Sequence, residues 1–357
     1  MQRQQQLTAW LHGQFPGETF TLAPASTDAS FRRYFRAAFA DGRTLVAMDA
    51  PPHHEDCRPF LHVARLFEAA GARVPHVYAQ DLQQGFLLLS DLGDTTYLQA
   101  LNAGNAPQLY GAATDALVSI QLASRENELP PYDAALLRRE LNLFPEWYVA
   151  RHLGVTLTEK QQAALEECFC RILANNLAQP RVYVHRDYHS RNLMFTKPNA
   201  QARFPHPNPL PWGDGANERG NFQPSPGILD FQDAVYGPIT YDLASLFKDA
   251  YIRWEEAEIM DWLIRYWEKA RKAGLPVHAD FGEFYRDYEW MGVQRHIKIL
   301  GIFARLYHRD GKDGYLKDLP LVMDYLRAAC ARYAGLKPLL KLLDELEPRE
   351  AQMGYTF

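Results

Sequence analysis

The sequence has few cysteines, no long apolar run and no excess of basic residues. Its cysteines, Cys57, Cys168, Cys170 and Cys330, form no CxxC pair and no regular spacing, so neither a zinc site nor a disulfide framework is expected. No segment approaches the roughly 18 consecutive apolar residues of a membrane span, and the N-terminal segment lacks the apolar core of a signal peptide. We therefore expect a cytoplasmic protein with reduced thiols and no membrane partner.

The charge balance argues against a nucleic-acid partner. The 357 residues include 38 Lys and Arg against 43 Asp and Glu, which gives a formal net charge of −5. Proteins that bind nucleic acid usually cluster an excess of basic residues on one face. The remaining composition, 47% hydrophobic and 23% charged, is typical of a folded protein, and the length suits two modest domains or one two-lobed unit.

Hydrophobic periodicity changes character near residue 92. Before that point, short β-like runs such as 45–48 and 86–89 flank one helical run at 58–70. Beyond it, helical spacing recurs at 110–123, 135–152, 159–174, 240–251, 256–273 and 287–306, and short strands are expected at 182–184, 193–195 and 228–229. The prediction is an α+β fold with a small β-rich lobe, residues 1–92, and a larger, mostly helical lobe, residues 93–357.

Residues 198–226 interrupt the second lobe. They are crowded with Pro, Gly and Asn and show no helical or strand period. A flexible surface insertion is the favoured interpretation, and an active-site lid is the alternative.

The strongest motif is HRDYHSRN at residues 185–192, which lies between two predicted strands. Its spacing matches the kinase catalytic loop, in which the Asp accepts the proton of the attacking hydroxyl and the Asn binds magnesium. Asp187 and Asn192 would take these roles. A polar turn is the alternative, but a second motif favours the catalytic interpretation.

The second motif is GILDF, a short apolar strand that ends in Asp230 and Phe231. Its order and context are those of the metal-binding Asp of kinases. A carboxylate is required there because Mg²⁺ is a hard cation that prefers oxygen ligands. The two motifs together predict a phosphotransferase that uses ATP and Mg²⁺.

These motifs resemble the aminoglycoside phosphotransferase and choline kinase superfamily, whose pattern continues as ILDFQDA and YDLA in this chain. Further segments, among them DASFRRYFR, GFLLLSDLGD and QRHIKILGIFARLYHRDGK, look most like the anomeric kinases for N-acetylmuramate and N-acetylglucosamine in peptidoglycan recycling. The resemblance implies a bilobal kinase-like fold and ATP-dependent phosphorylation of the anomeric hydroxyl of these amino sugars. The product would pass to a separate uridylyltransferase.

The resemblance also implies that His185 and Asp242 support the catalytic loop. The Asp242 carboxylate would accept backbone N–H bonds from that loop. N-capping of its own helix is the alternative.

Two features of the kinase pattern are missing from the first lobe. The run VAMD ends in Asp49 where a phosphate-binding Lys is expected, and the loop at 25–36 contains no glycine. Either Arg32 or Arg33 compensates, with the small Ser30 letting the main chain approach the nucleotide, or the phosphates depend more on magnesium. An ordinary hairpin and a catalytically inactive nucleotide-binding module are the alternatives, although the three retained motif residues argue against the second.

Other contacts follow from the resemblance alone. Ser90 and Leu92 are candidates for the adenine pocket, with a plain strand end as the alternative. The candidate sugar contacts are Glu140, Asp233, Tyr251 and Arg295, although an ordinary surface or packing role is the favoured interpretation of each residue taken singly. Arg295 or Arg253 could pair with the lactyl carboxylate of N-acetylmuramate. A kinase for another small alcohol, such as an aminoglycoside, choline or homoserine, is the second functional hypothesis.

Overall fold

The structure, a computed structural model, describes residues 2–25, 31–196 and 225–348. Its α-helices are α1 (Gln2–Gln14), α2 (Arg58–Ala69), α3 (Tyr97–Ala100), α4 (Ala106–Leu122), α5 (Ala134–Leu143), α6 (Glu159–Ala178), α7 (Tyr241–Phe247), α8 (Glu256–Lys272), α9 (Phe281–Asp310), α10 (Leu319–Arg332) and α11 (Lys337–Leu346). The strands are β1 (Phe20–Pro24), β2 (Arg33–Phe39), β3 (Thr44–Asp49), β4 (Val77–Asp81), β5 (Phe86–Ser90), β6 (Arg181–Val184), β7 (Leu193–Met194), β8 (Gly227–Ile228) and β9 (Val235–Pro238). A π-helical segment, Phe144–His152, continues α5, and 3₁₀ turns lie at Asp313–Asp318 and Ala334–Leu336.

The chain forms two compact units, each built from two stretches of sequence. The first comprises Met1–Ala123 and Ser190–Ala234, and the second comprises Ser124–His189 and Val235–Phe357. This division differs from a boundary at residue 92, because the first unit also contains α3, α4, β7 and β8. Hydrophobic periodicity shows where strands are followed by helices along the chain. The two units are instead defined by which residues contact each other, and these two boundaries differ.

The first unit contains a five-stranded antiparallel sheet in the order β1-β2-β3-β5-β4. Alternate side chains of β2, β3 and β5 form an apolar core with two residues of α1, Leu7 and Leu11. The helix α1 was not predicted from the sequence. It is rich in Gln, and its only fully covered apolar side chains are these two, which are four positions apart.

A short hairpin, β7–β8, connects the sheet unit to the second motif. Leu193 pairs with Ile228, and the Ile228 N–H donates to the carbonyl oxygen of Arg73, just after α2 (2.8 Å). The predicted helix at 58–70 is therefore present as α2, and its apolar face lies towards this hairpin. The ring centroid of Phe231 is 4.8 Å from that of Phe60 on α2.

The second unit is mostly helical, as the sequence predicted, and α9 is its central helix. Asp280 caps its N-terminus by accepting the N–H of Glu283 (2.9 Å), and Gly311 ends it with a left-handed φ of 67°. At Gly301 a side chain would collide with the backbone of Leu143, so glycine permits the close approach of α9 to α5. Within the described ranges, no helix has the length and hydropathy of a membrane span.

One local prediction needs correction, and another lies mostly beyond the described residues. The helix expected at 240–251 ends at Phe247, because the next residues form a turn in which Asp249 accepts the N–H of Tyr251 (3.0 Å). The insertion expected at 198–226 lies mostly outside the described ranges. Next to the β7–β8 ladder, the Thr196 hydroxyl, which precedes this segment, donates to the carbonyl oxygen of Ser225 near its other end (2.9 Å).

Candidate active site

The catalytic-loop motif begins at the end of β6, which pairs with β9 through Val184 and Val235. The buried Asp242 carboxylate of α7 accepts the N–H of His185 (2.7 Å) and the N–H of Arg186 (3.0 Å). The Asp187 N–H donates to Nδ1 of His185 (3.2 Å). This is the geometry that the loop-supporting role of Asp242 requires, since both carboxylate oxygens bind the loop.

Backbone strain marks both motifs. Arg186 and Asp230 have φ values of 77° and 63°, and the only other non-glycine residue with positive φ in the described part of the chain is Asn127. Such conformations cost roughly 1–3 kcal/mol and persist where surrounding contacts hold them. At Arg186 these contacts are the Asp242 carboxylate on its N–H and the Ser245 hydroxyl on its carbonyl oxygen (3.2 Å).

A buried charge network lies beside the loop. Glu140 on α5 binds the Arg186 guanidinium, the Tyr132 hydroxyl and the Lys298 ammonium, the last at 3.1 Å. Burial alone would raise the pKa of Glu140, but Lys298 and Arg186 outweigh burial and hold that pKa below its usual value. Glu140 is therefore an ionised carboxylate whose oxygens already have protein partners. Its role as a sugar contact stays a prediction.

The half-buried Asp187 carboxylate lies in a field of positive charge. Burial opposes its ionisation, yet the charges of Lys298, His189, Arg295 and Arg186 together lower its pKa. An ionised carboxylate at this position can orient a hydroxyl group and accept its proton.

The second motif places a carboxylate beside an amide in the first unit. The Asn192 amide donates to Oδ2 of Asp230 (3.4 Å), and the Gln232 amide donates to Oδ1 (2.7 Å). The Leu229 N–H donates to the carbonyl oxygen of Asn192 (2.9 Å), which fixes the two segments against each other. Asp230 itself is exposed and accessible to a ligand.

The donor set formed by Asp230 and Asn192 fits Mg²⁺. This ion prefers oxygen ligands and usually takes one or two from the protein, with water and substrate phosphates supplying the rest. Within the described ranges, no group of three or more His, Cys, Asp or Glu side chains could hold a metal ion by itself. The two residues therefore suit a cation that is bound together with a phosphate-bearing substrate.

The structure separates the two candidate phosphate-binding arginines. The Arg33 guanidinium binds the fully buried Asp49, which is the residue at the position of the missing Lys. Arg32 binds Glu55 (3.0 Å) instead. Burial opposes the charge of Arg32, but surrounding negative groups, which include Glu55 and Asp230, raise its pKa. Arg32 is thus a cation close to the proposed metal-binding carboxylate.

The remaining predicted residues are distributed over both units. Leu92 packs near Gly227 and Met194 of the β7–β8 hairpin, whereas the Ser90 hydroxyl accepts the N–H of His76 (2.9 Å). Ser30 lies outside the described residues.

The four predicted sugar contacts do not fall in one unit. Asp233 is an exposed residue of the first unit, while Glu140, Tyr251 and Arg295 belong to the second. The Tyr251 ring is 5.4 Å from the ring of His189, two residues after Asp187. Arg253 is an exposed residue that binds Asp324 (2.6 Å).

Sequence reasoning missed Lys298 and Glu55. Lys298 lies within α9, a long helix with apolar periodicity, and nothing in that periodicity shows that a cation there is buried. Glu55 precedes α2, and its pairing with Arg32 bridges 23 residues. Neither pairing follows from local spacing.

Comparison with known proteins identifies similar chains. The sequence model of the phosphotransferase enzyme family matches residues 21–202 and 221–281. A protein of Neisseria meningitidis serogroup B, named N-acetylmuramate/N-acetylglucosamine kinase, is 49% identical over 362 residues that cover 100% of both chains. A protein of the same name from Pseudomonas aeruginosa is 49% identical over 96% of this chain and 97% of its own.

A solved structure supports the fold. A choline/ethanolamine kinase family protein from Mesorhizobium loti is similar with a TM-score of 0.60 and 14% identity, over 96% of this chain and 99% of that chain. The predicted kinase-like α+β fold class is confirmed.

The raised pKa of Asp242 gives a pH-dependent stability. Burial, only partly offset by the two backbone N–H bonds, raises this pKa to about 7. Between pH 4 and 7 the folded protein therefore binds a proton that the unfolded chain has lost, so the Asp242 contribution to the free energy of unfolding decreases as the pH rises. With Asp242→Asn, the difference in unfolding free energy, wild type minus variant, should fall by roughly 2–3 kcal/mol between pH 5 and pH 8.

Chemical denaturation at several pH values measures this difference. Asp261→Asn is the matched control, since Asp261 is an exposed carboxylate paired with Arg265 on α8. Its pH dependence should parallel that of the wild type. A pH-independent difference for Asp242→Asn would show that this carboxyl group stays ionised throughout.

Proposed function

Because the chain belongs to the phosphotransferase enzyme family, we propose that it transfers a phosphoryl group from ATP to the anomeric hydroxyl of N-acetylmuramate and N-acetylglucosamine. The observation that carries the proposal is the 49% identity, along the full chain, to a relative named as a kinase for both sugars. The geometry of the second unit supports the chemistry, since it holds an ionised Asp187 in a loop fixed by Asp242.

Asp187 is the proposed proton acceptor. The anomeric hydroxyl of a sugar is more acidic than a simple alcohol, so the carboxylate needs only to orient it and take the proton late in the reaction. The positive charges around Asp187 keep it ionised, at the cost of some basicity. No covalent enzyme intermediate is required.

The first unit holds the residues proposed for nucleotide binding. Asp230 and the Asn192 amide oxygen would hold Mg²⁺, which neutralises phosphate charge during transfer. Arg32, positioned by Glu55, is the proposed substitute for the missing Lys. Leu92, which packs beside the β7–β8 hairpin, is the proposed apolar contact for adenine.

The proposed product is a sugar 1-phosphate. Such a compound retains a free phosphate at the anomeric carbon, which is the group that a uridylyltransferase joins to a nucleotide. We place this reaction in the recycling of cell-wall sugars in the cytoplasm, where ATP is available.

A substrate panel tests the proposed function. Coupled ATPase assays should show turnover with N-acetylmuramate and N-acetylglucosamine but not with choline, homoserine or aminoglycosides. Phosphorus NMR of the product should show a phosphate on the anomeric carbon. Turnover of one of the other alcohols, without the two sugars, would replace the proposal by the second hypothesis. Nucleotide binding without any turnover would favour an inactive module.

Substitutions at the two motif carboxylates should give defects of different kinds. Asp187→Asn preserves the shape of the site but removes the proton acceptor, so kcat should fall by roughly 10²–10⁴-fold while Mg-ATP affinity changes little. Asp230→Asn should instead weaken magnesium-dependent nucleotide binding, because a neutral amide is a poor substitute for a carboxylate on a hard cation. Steady-state kinetics and calorimetric titration with Mg-ATP distinguish these effects.

Asp261→Asn, on the exposed face of α8, again serves as the control and should retain both properties. Wild-type turnover by Asp187→Asn would remove its assignment as the base. Unchanged magnesium dependence in Asp230→Asn would do the same for the metal site.

Arg32→Ala tests how phosphate is held without the usual Lys. Because Arg32 supplies a cation near Asp230, its loss should raise the KM for ATP by on the order of tenfold and lower kcat. Glu55→Gln should give a smaller change in the same direction, since it loosens the position of Arg32. Arg58→Ala, which removes an exposed cation paired with Asp56, is the control. A larger defect in Arg33→Ala than in Arg32→Ala would assign the role to Arg33.

A further inference from the structure

Arg295 is a buried cation that forms no ion pair in the part of the chain that the structure describes. Only 3% of its surface is exposed, and its Nη1 atom has no hydrogen-bond partner among the described residues. A buried charged group that lacks partners is costly, because neither water nor protein replaces its lost hydration. Such a group is expected to gain its partner when a ligand binds.

The other strongly buried cations of the second unit are different. Within the described ranges, Lys248 binds Glu289, Lys298 binds Glu140 and Arg327 binds Asp344. Each of these cations has a carboxylate in direct contact. Among the described residues, Arg295 has none at ion-pair distance, although the carboxyl groups of Asp187 and Asp242 lie near enough to interact with its charge.

The position of Arg295 on α9 directs it towards the catalytic loop. Residues three apart on a helix lie on the same face, and Lys298, three residues after Arg295, binds Glu140 (3.1 Å). Glu140 in turn binds Arg186, the residue before Asp187. The charge of Arg295 is also felt at Asp187 and Asp242, since it contributes to lowering the pKa of both.

We propose that Arg295 binds the lactyl carboxylate of N-acetylmuramate and so favours this sugar over N-acetylglucosamine. The inference rests on the proposed function. A guanidinium group matches the two oxygens of a carboxylate, and N-acetylglucosamine, which has no carboxylate, would leave it unpaired. The acceptor sugar is the favoured source of the anion because Arg295 belongs to the same unit as the proposed base, whereas Arg32, Asn192 and Asp230 belong to the other.

Sugar preference in Arg295 variants tests this proposal. With Arg295→Met, the KM for N-acetylmuramate should rise by about 10- to 100-fold, the range expected for loss of a hydrogen bond to a charged group. The ratio of kcat/KM for N-acetylmuramate to kcat/KM for N-acetylglucosamine should fall by about 10- to 100-fold, because loss of the positive charge near Asp187 acts on both sugars, whereas only N-acetylmuramate also loses a carboxylate contact. Arg295→Lys should restore part of the preference, since it returns the charge without the planar donor pair.

Arg286→Met is the matched control on the same helix. Arg286 is exposed and pairs with Glu283 (2.6 Å), so its loss should leave the sugar preference unchanged. A wild-type enzyme that turned over neither sugar would be a failure of the proposed function. A wild-type enzyme active on both sugars, with an unchanged preference in Arg295→Met, would overturn this inference alone. An equal loss with both sugars would also overturn it, because it would assign Arg295 to the phosphoryl group or to Asp187.

A second experiment does not depend on the folding of a variant. The amide derivative of the lactyl group of N-acetylmuramate keeps the shape of the sugar but removes its negative charge. Its KM with the wild-type enzyme should be about 10- to 100-fold higher than that of N-acetylmuramate. Equal KM values for the acid and the amide would contradict the proposal.

Discussion

The second unit depends on one buried carboxylate, Asp242, which accepts the consecutive backbone N–H groups of His185 and Arg186. These bonds hold Arg186 in a left-handed conformation that a non-glycine residue adopts only under constraint. The backbone conformation of Arg186 sets the direction in which the chain continues to Asp187. It also allows the Arg186 side chain to reach Glu140. The loop is thus positioned by the first turn of α7, and the proposed base is placed by backbone bonds that involve no substrate.

The charges around Asp187 follow from the same arrangement. Glu140 is nearly inaccessible to water, and such a carboxylate is tolerated only if cations compensate for its lost hydration. Arg186 and Lys298 do so, and both also act on Asp187. A side effect is that the proposed base is a weak one, which suits an acidic anomeric hydroxyl better than a simple alcohol. The cations that compensate for the buried Glu140 therefore also set the charge around Asp187.

The sequence predicted the features that depend on local spacing. HRDYHSRN and GILDF lie on the expected strands and turns, and α2, α6, α8 and α9 coincide with apolar periodicity. It could not predict pairings between distant segments, such as Arg32 with Glu55 or Lys298 with Glu140, because a charged residue carries no sign of its partner. The helix α1 was missed for another reason. Its two buried apolar residues are too few to give a helical pattern in the sequence, and their role is visible only in their packing against the sheet.

Asp49 shows how one substitution changes several contacts at once. At the position where kinases carry a phosphate-binding Lys, this chain has a fully buried carboxylate that binds Arg3 of α1 and Arg33 of β2. A Lys at this position would repel both arginines, so the ion pairs that join α1 to the sheet require the acidic residue. Arg32 is next to Arg33 in sequence but is bound to Glu55 instead of Asp49. Under the proposed function, Arg32 is the candidate for the phosphate-binding cation, and the Arg32→Ala variant tests it.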